Sequence, residues 1–477
     1  MATAEGQTQF LDALVVALSQ ACDGGKKRWY ASTLELQLAS LEICRVCRSI
    51  STLHVHVHDQ TPRGLWSPHE VQTRPKGCGS KICMCSLVPV WRALRLTSAL
   101  PASRVPVVRA LRLKWELPLQ DLLRTAAIEL WTSSEYLELE GSSCAVSLRS
   151  VVWPRGLTQL AFDAAFDIPV HDVSWPTGLQ RLRFGNFNQP VAGVVWPASL
   201  QQLSLGRRFN QPITGVMWPA SLQQLLLGPE FNQPIANVMW PDSLKQLSFG
   251  WEFNQPLAGV VWPASLQQLS FGRRFNQPIA GVMWPASLGK LSFGWKFNQP
   301  VAGVVWPASL QQLSFGWEFN QPLAGVVWPA SLQQLSFGRR FNQPIANIMW
   351  PASLKQLSFG RDFNQPIAGV MWPASLEKLS FGSDFNYPIA GVVWPASLKR
   401  LSFGLEFNQP IAEVMWPASL KQLSFGRRFN HPITGVVWPA SLQRLSFGLE
   451  FNQPLAGVAW PRSLRYVRCG RQNCVLR

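Results

Sequence analysis

From Phe187 onward, apolar and polar positions recur in a fixed order with a period of 22 residues. In Trp196-Pro197-Ala198-Ser199-Leu200-Gln201-Gln202-Leu203-Ser204-Leu205-Gly206 the stretch around Leu203 and Leu205 alternates apolar and polar, as a strand with one buried face does. Gly206 then permits a turn. Phe209, Ile213 and Val216 follow at spacings that return them to the same interior. Pro212 and Pro219 forbid a helix on the return path, which should be irregular or polyproline-like. The Phe-Asn pair marking each copy stands at 187, 209, 231, 253, 275, 297, 319, 341, 363, 385, 407, 429 and 451, thirteen copies in one register. Looser copies precede them at Phe166-Asp167-Ile168-Pro169, Trp175-Pro176 and Trp153-Pro154. The series closes at Trp460-Pro461 and a partial strand from Leu464 to Cys469.

The expected fold is a β-rich repeat solenoid, with a parallel sheet on one face and an irregular Trp-Pro convex side. The apolar side chains of one coil recover less free energy than fixing its backbone costs, so the copies must stack to fold. Phe209, Phe231, Phe253 and Phe297 should form one buried ladder, with the tryptophans as a second ladder on the outer side. Asn210, Asn232, Asn254 and Asn298 should form a third, each side-chain amide bonding backbone groups of a neighbouring coil, because buried polar groups need partners.

The L-x-x-L-x-[LF] pattern with a downstream Asn resembles leucine-rich repeats. More closely, LSFGxxFNQPI resembles the FNIP repeat family, named for a Phe-Asn-x-Pro-Ile core that reads here Phe209-Asn210-Gln211-Pro212-Ile213. The resemblance covers about residues 150–470, with Gln before Pro except at Tyr387 and His431. It implies a leucine-rich-repeat-like solenoid that engages other proteins and has no catalytic activity; no cofactor is expected.

Among the copies, the two residues after the strand glycine vary most. Arg207-Arg208, Trp251-Glu252, Arg273-Arg274, Trp295-Lys296, Trp317-Glu318, Arg339-Arg340, Arg361-Asp362 and Arg427-Arg428 stand at this place. Arg and Trp are favoured interface anchors, so these residues could edge a Gln- and Ser-rich recognition face. They could equally be solvent positions that drifted after duplication. The Arg pairs at 207, 273 and 339 recur every 66 residues, as copying of a three-coil block would produce.

Charge adds a direction for partners. The chain carries +17 with a pI near 10, which favours acidic proteins or nucleic acid. Between Phe187 and Pro461, however, 18 Lys and Arg meet 10 Asp and Glu, and the interleaved acids break up any phosphate track. Protein partners with acidic surfaces are expected ahead of nucleic acid, with a passive structural rod as a further alternative. No apolar run is long enough to span a membrane, and the N-terminus makes a poor signal peptide, so a cytoplasmic or nuclear setting is expected.

The first 150 residues have no clean period. Residues 1–87 read as a helical or mixed cap or adaptor, with helix-like spacing from Phe10 to Ala21 and from Thr33 to Cys47. Residues 88–150 read as eroded coils, with strands near Ala93–Leu96, Ala110–Leu113 and Tyr136–Leu139; 151–470 form the solenoid and 471–477 a basic tail. Cys44, Cys47, His54, His56, His58, Cys78, Cys83 and Cys85 could supply zinc ligands, but their spacing fits separate thiols and an alternating His strand as well. Gly24-Gly25-Lys26-Lys27 lacks the frame of a phosphate loop, His69-Glu70 lacks its second His, and G-x-S-x-G is absent. From Phe187 to Pro461 there is no Cys and one His, His431, which leaves little for acid–base chemistry.

Overall fold

The computed structural model describes residues 153–470, Val151, and the short stretches 53–56, 82–84, 110–115, 135–141, 148–149 and 472–474. By its internal contacts the chain divides into two units, one running to Gln211 with Val216–Leu222, the other comprising Pro212–Gly215 and Gln223–Arg477.

In the second unit each coil has three sides, and the coil beginning at Gln268 shows why. Strand Gln268–Ser270 places Leu269 inward between two polar neighbours. A turn at 273–274 leads to Phe275–Ile279, a turn at 280–281 to Val282–Pro285, and a turn at 286–287 to the next strand, Lys290–Ser292. Leu269, Phe271, Phe275, Ile279, Val282 and Leu288 all point inward and are buried. Strands from Gln224–Leu226 to Tyr466–Cys469 pair in parallel with no register slip, over most of the run Leu opposite Leu and Ser opposite Ser, with Leu445 opposite Val467 at the end. The last of them turns back into an antiparallel partner, Gln472–Cys474.

Stacking fixes the geometry of the interior. The phenylalanines directly behind the sheet lie 5.6–5.8 Å apart from coil to coil, and the tryptophans 6.2–6.5 Å apart. Strands in a sheet are spaced at about 4.8 Å. The coils therefore splay away from the sheet, which leaves the sheet's solvent face concave. The Trp ladder is not on the outer side, as expected from sequence; it is stacked inside the coil, edge-on to the phenylalanines, as for Trp262 against Phe249. Fourteen of these indoles bury their Nε1–H without meeting an acceptor, so the row holds by stacking and burial.

The strand-end glycines also differ from expectation. Gly206 has φ of 80°, as a turn glycine can, but Gly272, Gly294 and Gly316 do not have positive φ. They are required by proximity instead: a Cβ on Gly316 would lie 1.6 Å from the carbonyl oxygen of Gly294. Left-handed backbone occurs at another corner, as in Gly303 with φ of 76°, where Asn237 and Asn347 stand in two coils with φ of 63°. Asn tolerates this region better than other side chains do.

In the first unit, Ala110–Trp115, Tyr136–Gly141, Gln159–Phe162, Arg181–Arg183 and Gln202–Ser204 pair in parallel. Ala110–Trp115 also pairs antiparallel with Leu53–His56, which pairs antiparallel with Ile82–Met84. The helices expected before residue 48 and the strand expected at 93–96 lie outside the described residues.

Candidate interaction surface

Three exposed rows run along the second unit, and each arises from one position of the coil. The first is the concave sheet face. With Leu inward, the strand positions on either side must point outward, so Gln, Lys or Arg forms one row and Ser another. A trough of about 610 Å³ lies across this face, lined by residues such as Lys290, Gln334, Lys378, Arg400 and Arg444. From Gln224 to Ser446 these two rows contain no carboxylate. One acid stands just outside them: Glu377, whose carboxylate accepts a hydrogen bond from Lys399 Nζ at 2.8 Å, and this bond holds its pKa below the ordinary glutamate value.

The second row is the edge made by the variable pairs, which occupy the turn after each strand. Trp251, Arg273, Arg274, Arg361, Arg427 and Arg428 are exposed here, as are Arg207 and Arg208 in the first unit. The side chains satisfy one another between coils. Arg273 lies 4.4 Å over the ring of Trp295, Trp295 stacks on Trp317 at 4.5 Å, and Arg339 lies 4.4 Å over Trp317. Arg274 pairs with Glu252 at 2.7 Å, Arg361 with Asp384 at 3.7 Å, Arg427 with Glu450 at 3.3 Å and Arg428 with Glu406 at 2.5 Å. Such exposed pairs add little stability, but they offset the charge of the arginines. Arg339 also approaches Asp362, at 3.7 Å, and Arg340 is exposed beside it.

The third row was not recognised in the sequence. The residue before the Trp of each Trp-Pro pair from 240 to 438, Val or Met, points outward: Met283 is 83 % exposed and Val305 81 %. The alternation is Val inward, Val or Met outward, Trp inward, and all three are apolar, so the sequence pattern does not mark the outward one.

Beneath these rows lie the ladders. Phe209, Phe231, Phe253 and Phe297 are fully buried. Asn298 is half-buried; its Oδ1 accepts the backbone N–H of Asn320 at 2.9 Å and Nε2 of Gln321 at 3.1 Å, while its own N–H donates to Asn276 Oδ1 at 2.9 Å. Asn210 donates its N–H to Asn188 Oδ1, and Asn232 and Asn254 repeat the acceptor role toward Asn254 and Asn276. Two further rows join in: Gln bonds back to the Asn carbonyl, and Ser309 Oγ donates to Leu288 O at 2.9 Å. His431 replaces Gln and makes the same contact, Nε2 to Asn408 O at 3.1 Å.

Of the possible zinc ligands, Cys44, Cys47, His58, Cys78 and Cys85 lie outside the described residues. The backbone register sets His54 opposite Cys83, and His56 ends the same strand. Among the described residues no group of His, Cys, Asp or Glu is arranged to hold a metal, and no helix is long and apolar enough to cross a membrane.

Parallel three-residue strands, in-register leucines and Asn ladders define a leucine-rich-repeat-like solenoid. The FNIP Repeat family model matches ten overlapping windows of the chain, from 187–230 to 429–470. The chain belongs to the FNIP-repeat family. Among solved structures it is similar to CroV588, described as a novel circular LRR protein, at 39 % identity and a TM-score of 0.62 over 72 % of this chain. The chain spans 57 % of the length of that structure's chain. The Drosophila Toll–Spatzle complex also matches, at 12 % identity and a TM-score of 0.49 over 76 % of this chain and 54 % of that one. An internalin from Listeria monocytogenes matches at 14 % identity and a TM-score of 0.35 over 70 % of this chain and 86 % of that one. No curated protein matches the sequence. The matched family is a repeat family, and no catalytic family is among the matches.

Proposed function

We propose that this chain is a non-enzymatic recognition scaffold, working in the cytoplasm or nucleus, whose concave sheet face and adjoining edge take an acidic protein partner. The observation that carries the reading is the sheet face: two rows of Gln, Ser, Lys and Arg, with Leu226 as the one apolar member, over eleven coils without a carboxylate. A face of this composition attracts acidic surfaces and offers many amide and hydroxyl groups for hydrogen bonds. The edge of the second unit contributes the flat Trp295–Trp317 stack and the arginines at 273, 274, 339 and 340, and Arg207 and Arg208 stand at the same turn in the first unit. Mutual pairing of Arg and Glu along the edge makes it a poor phosphate track, which sets nucleic acid second.

The test is capture from lysate by the full-length chain, with and without nuclease, beside a variant in which those six arginines are changed to Glu. Protein bands that survive nuclease and weaken in the variant, with the circular dichroism unchanged, are the expected result. Bands lost with nuclease would place a polyanion first. Bands indifferent to the substitutions would remove the edge from the interface, and no specific band in any lane would leave a passive rod.

A further inference from the structure

We propose that two copies of this chain pair through the Val/Met row, antiparallel, about a two-fold axis that crosses the row between the coils of Val327 and Met349. The row is a continuous apolar surface. From Met239 to Val437 every coil of the second unit contributes one side chain, between 64 % and 85 % exposed. The turns flanking it supply Ala, Gly and Ser, with Asn237, Asn347 and Thr434 as the uncharged exceptions, and across these ten coils the only charges on this side are Asp242 and Glu413. A soluble surface rarely leaves an apolar stretch of this length uncovered.

Its size fits a second copy. A fully exposed Val or Met side chain offers roughly 60–120 Å² of apolar surface. Ten at the exposures found give roughly 500–900 Å² per copy before the alanines are counted, against about 800 Å² per partner in a standard stable interface.

The order of residues fixes the register. Read along the chain the row is M V M V V M M V M V, and read backwards it is V M V M M V V M V M. An antiparallel partner therefore sets a Met against a Val in every coil: Met239 meets Val437, Val305 meets Met371, and Val327 meets Met349. Large against small at each facing position is what lets two surfaces interdigitate without gaps or clashes. In a two-fold interface each pairing occurs twice, so the match is required of one sequence against itself. A parallel pairing in the same register would set Met on Met and Val on Val.

The experiment weighs the full-length chain by light scattering over a concentration series; a species of about twice 53.4 kDa is expected. Val327→Met, at a position 79 % exposed and therefore harmless to folding, puts Met against Met at the axis and should weaken the dimer roughly tenfold. Val327→Met with Met349→Val exchanges the partners and should restore it. A monomer at all concentrations overturns the proposal, as does a dimer indifferent to Val327→Met. Register is read separately with Val305→Cys and Met371→Cys together, which should give a disulfide-linked dimer on mild oxidation, above the background of the unsubstituted chain. Val305→Cys alone should not, because like-numbered residues would sit three coils apart. Absence of the cross-link in the double variant overturns the register even if a dimer persists.

Discussion

Asn298 has no charge, is half-buried, and still binds three coils together. Its amide oxygen holds the backbone N–H of Asn320 and the side chain of Gln321, and its own N–H is held by Asn276. Asn298→Ala removes the acceptor and leaves a backbone donor unpaired beside the Phe ladder, which should cost about 1–2 kcal/mol. The check is hydrogen exchange: the Asn320 amide should lose protection while amides several coils away keep theirs. Equal protection in both proteins would refute the role. The Asn and Phe rows could be read from sequence because their spacing never varies and an amide next to a buried ring needs a partner. The Gln and Ser rows could not, since an exposed-looking Gln in one coil reveals its contact only when the preceding coil is set beside it.

For the single coil, the decisive positions are its glycines, and two that look alike in sequence have different tasks. Gly316→Ala drives a Cβ into the carbonyl of Gly294 and should cost about 3 kcal/mol or more, because backbone must move. Gly303→Ala meets open space and pays only for its left-handed φ of 76°, about 1–2 kcal/mol. Urea titration of the two variants should rank them in that order; the reverse would mean the coils are not in such close contact. Strand and corner positions were legible because their pattern alternates between apolar and polar. The third side was not: Val282, Met283 and Trp284 are all apolar, so an outward residue between two inward ones leaves no mark in a hydrophobicity pattern. The pairing along the edge was hidden for another reason. Arg273 and Arg339 stack on Trp295 and Trp317, which stand in the neighbouring coils.

At the scale of the whole molecule, near-identical coils in one register make the stack indifferent to how many it holds. Deleting residues 297–318 joins Lys296 to Phe319 in the same frame and keeps the Leu, Phe, Asn and Trp ladders continuous, at the cost of the Trp295–Trp317 stack and the Lys296–Glu318 pair on the edge. Such a chain should keep its circular dichroism per residue and a cooperative urea transition, because stability is summed over neighbouring contacts. Deleting 297–307 alone should break the stack, since half a coil puts Leu323-Ala324-Gly325, a corner, where the strand Gln312–Ser314 is needed. The same indifference is a hazard: a sheet built by adding parallel strands invites another chain to add one more. Gln472–Cys474 runs the opposite way along Tyr466–Cys469. The pattern of donors and acceptors it offers is no longer that of the next coil, so this strand acts as a chain terminator for growth into a fibre.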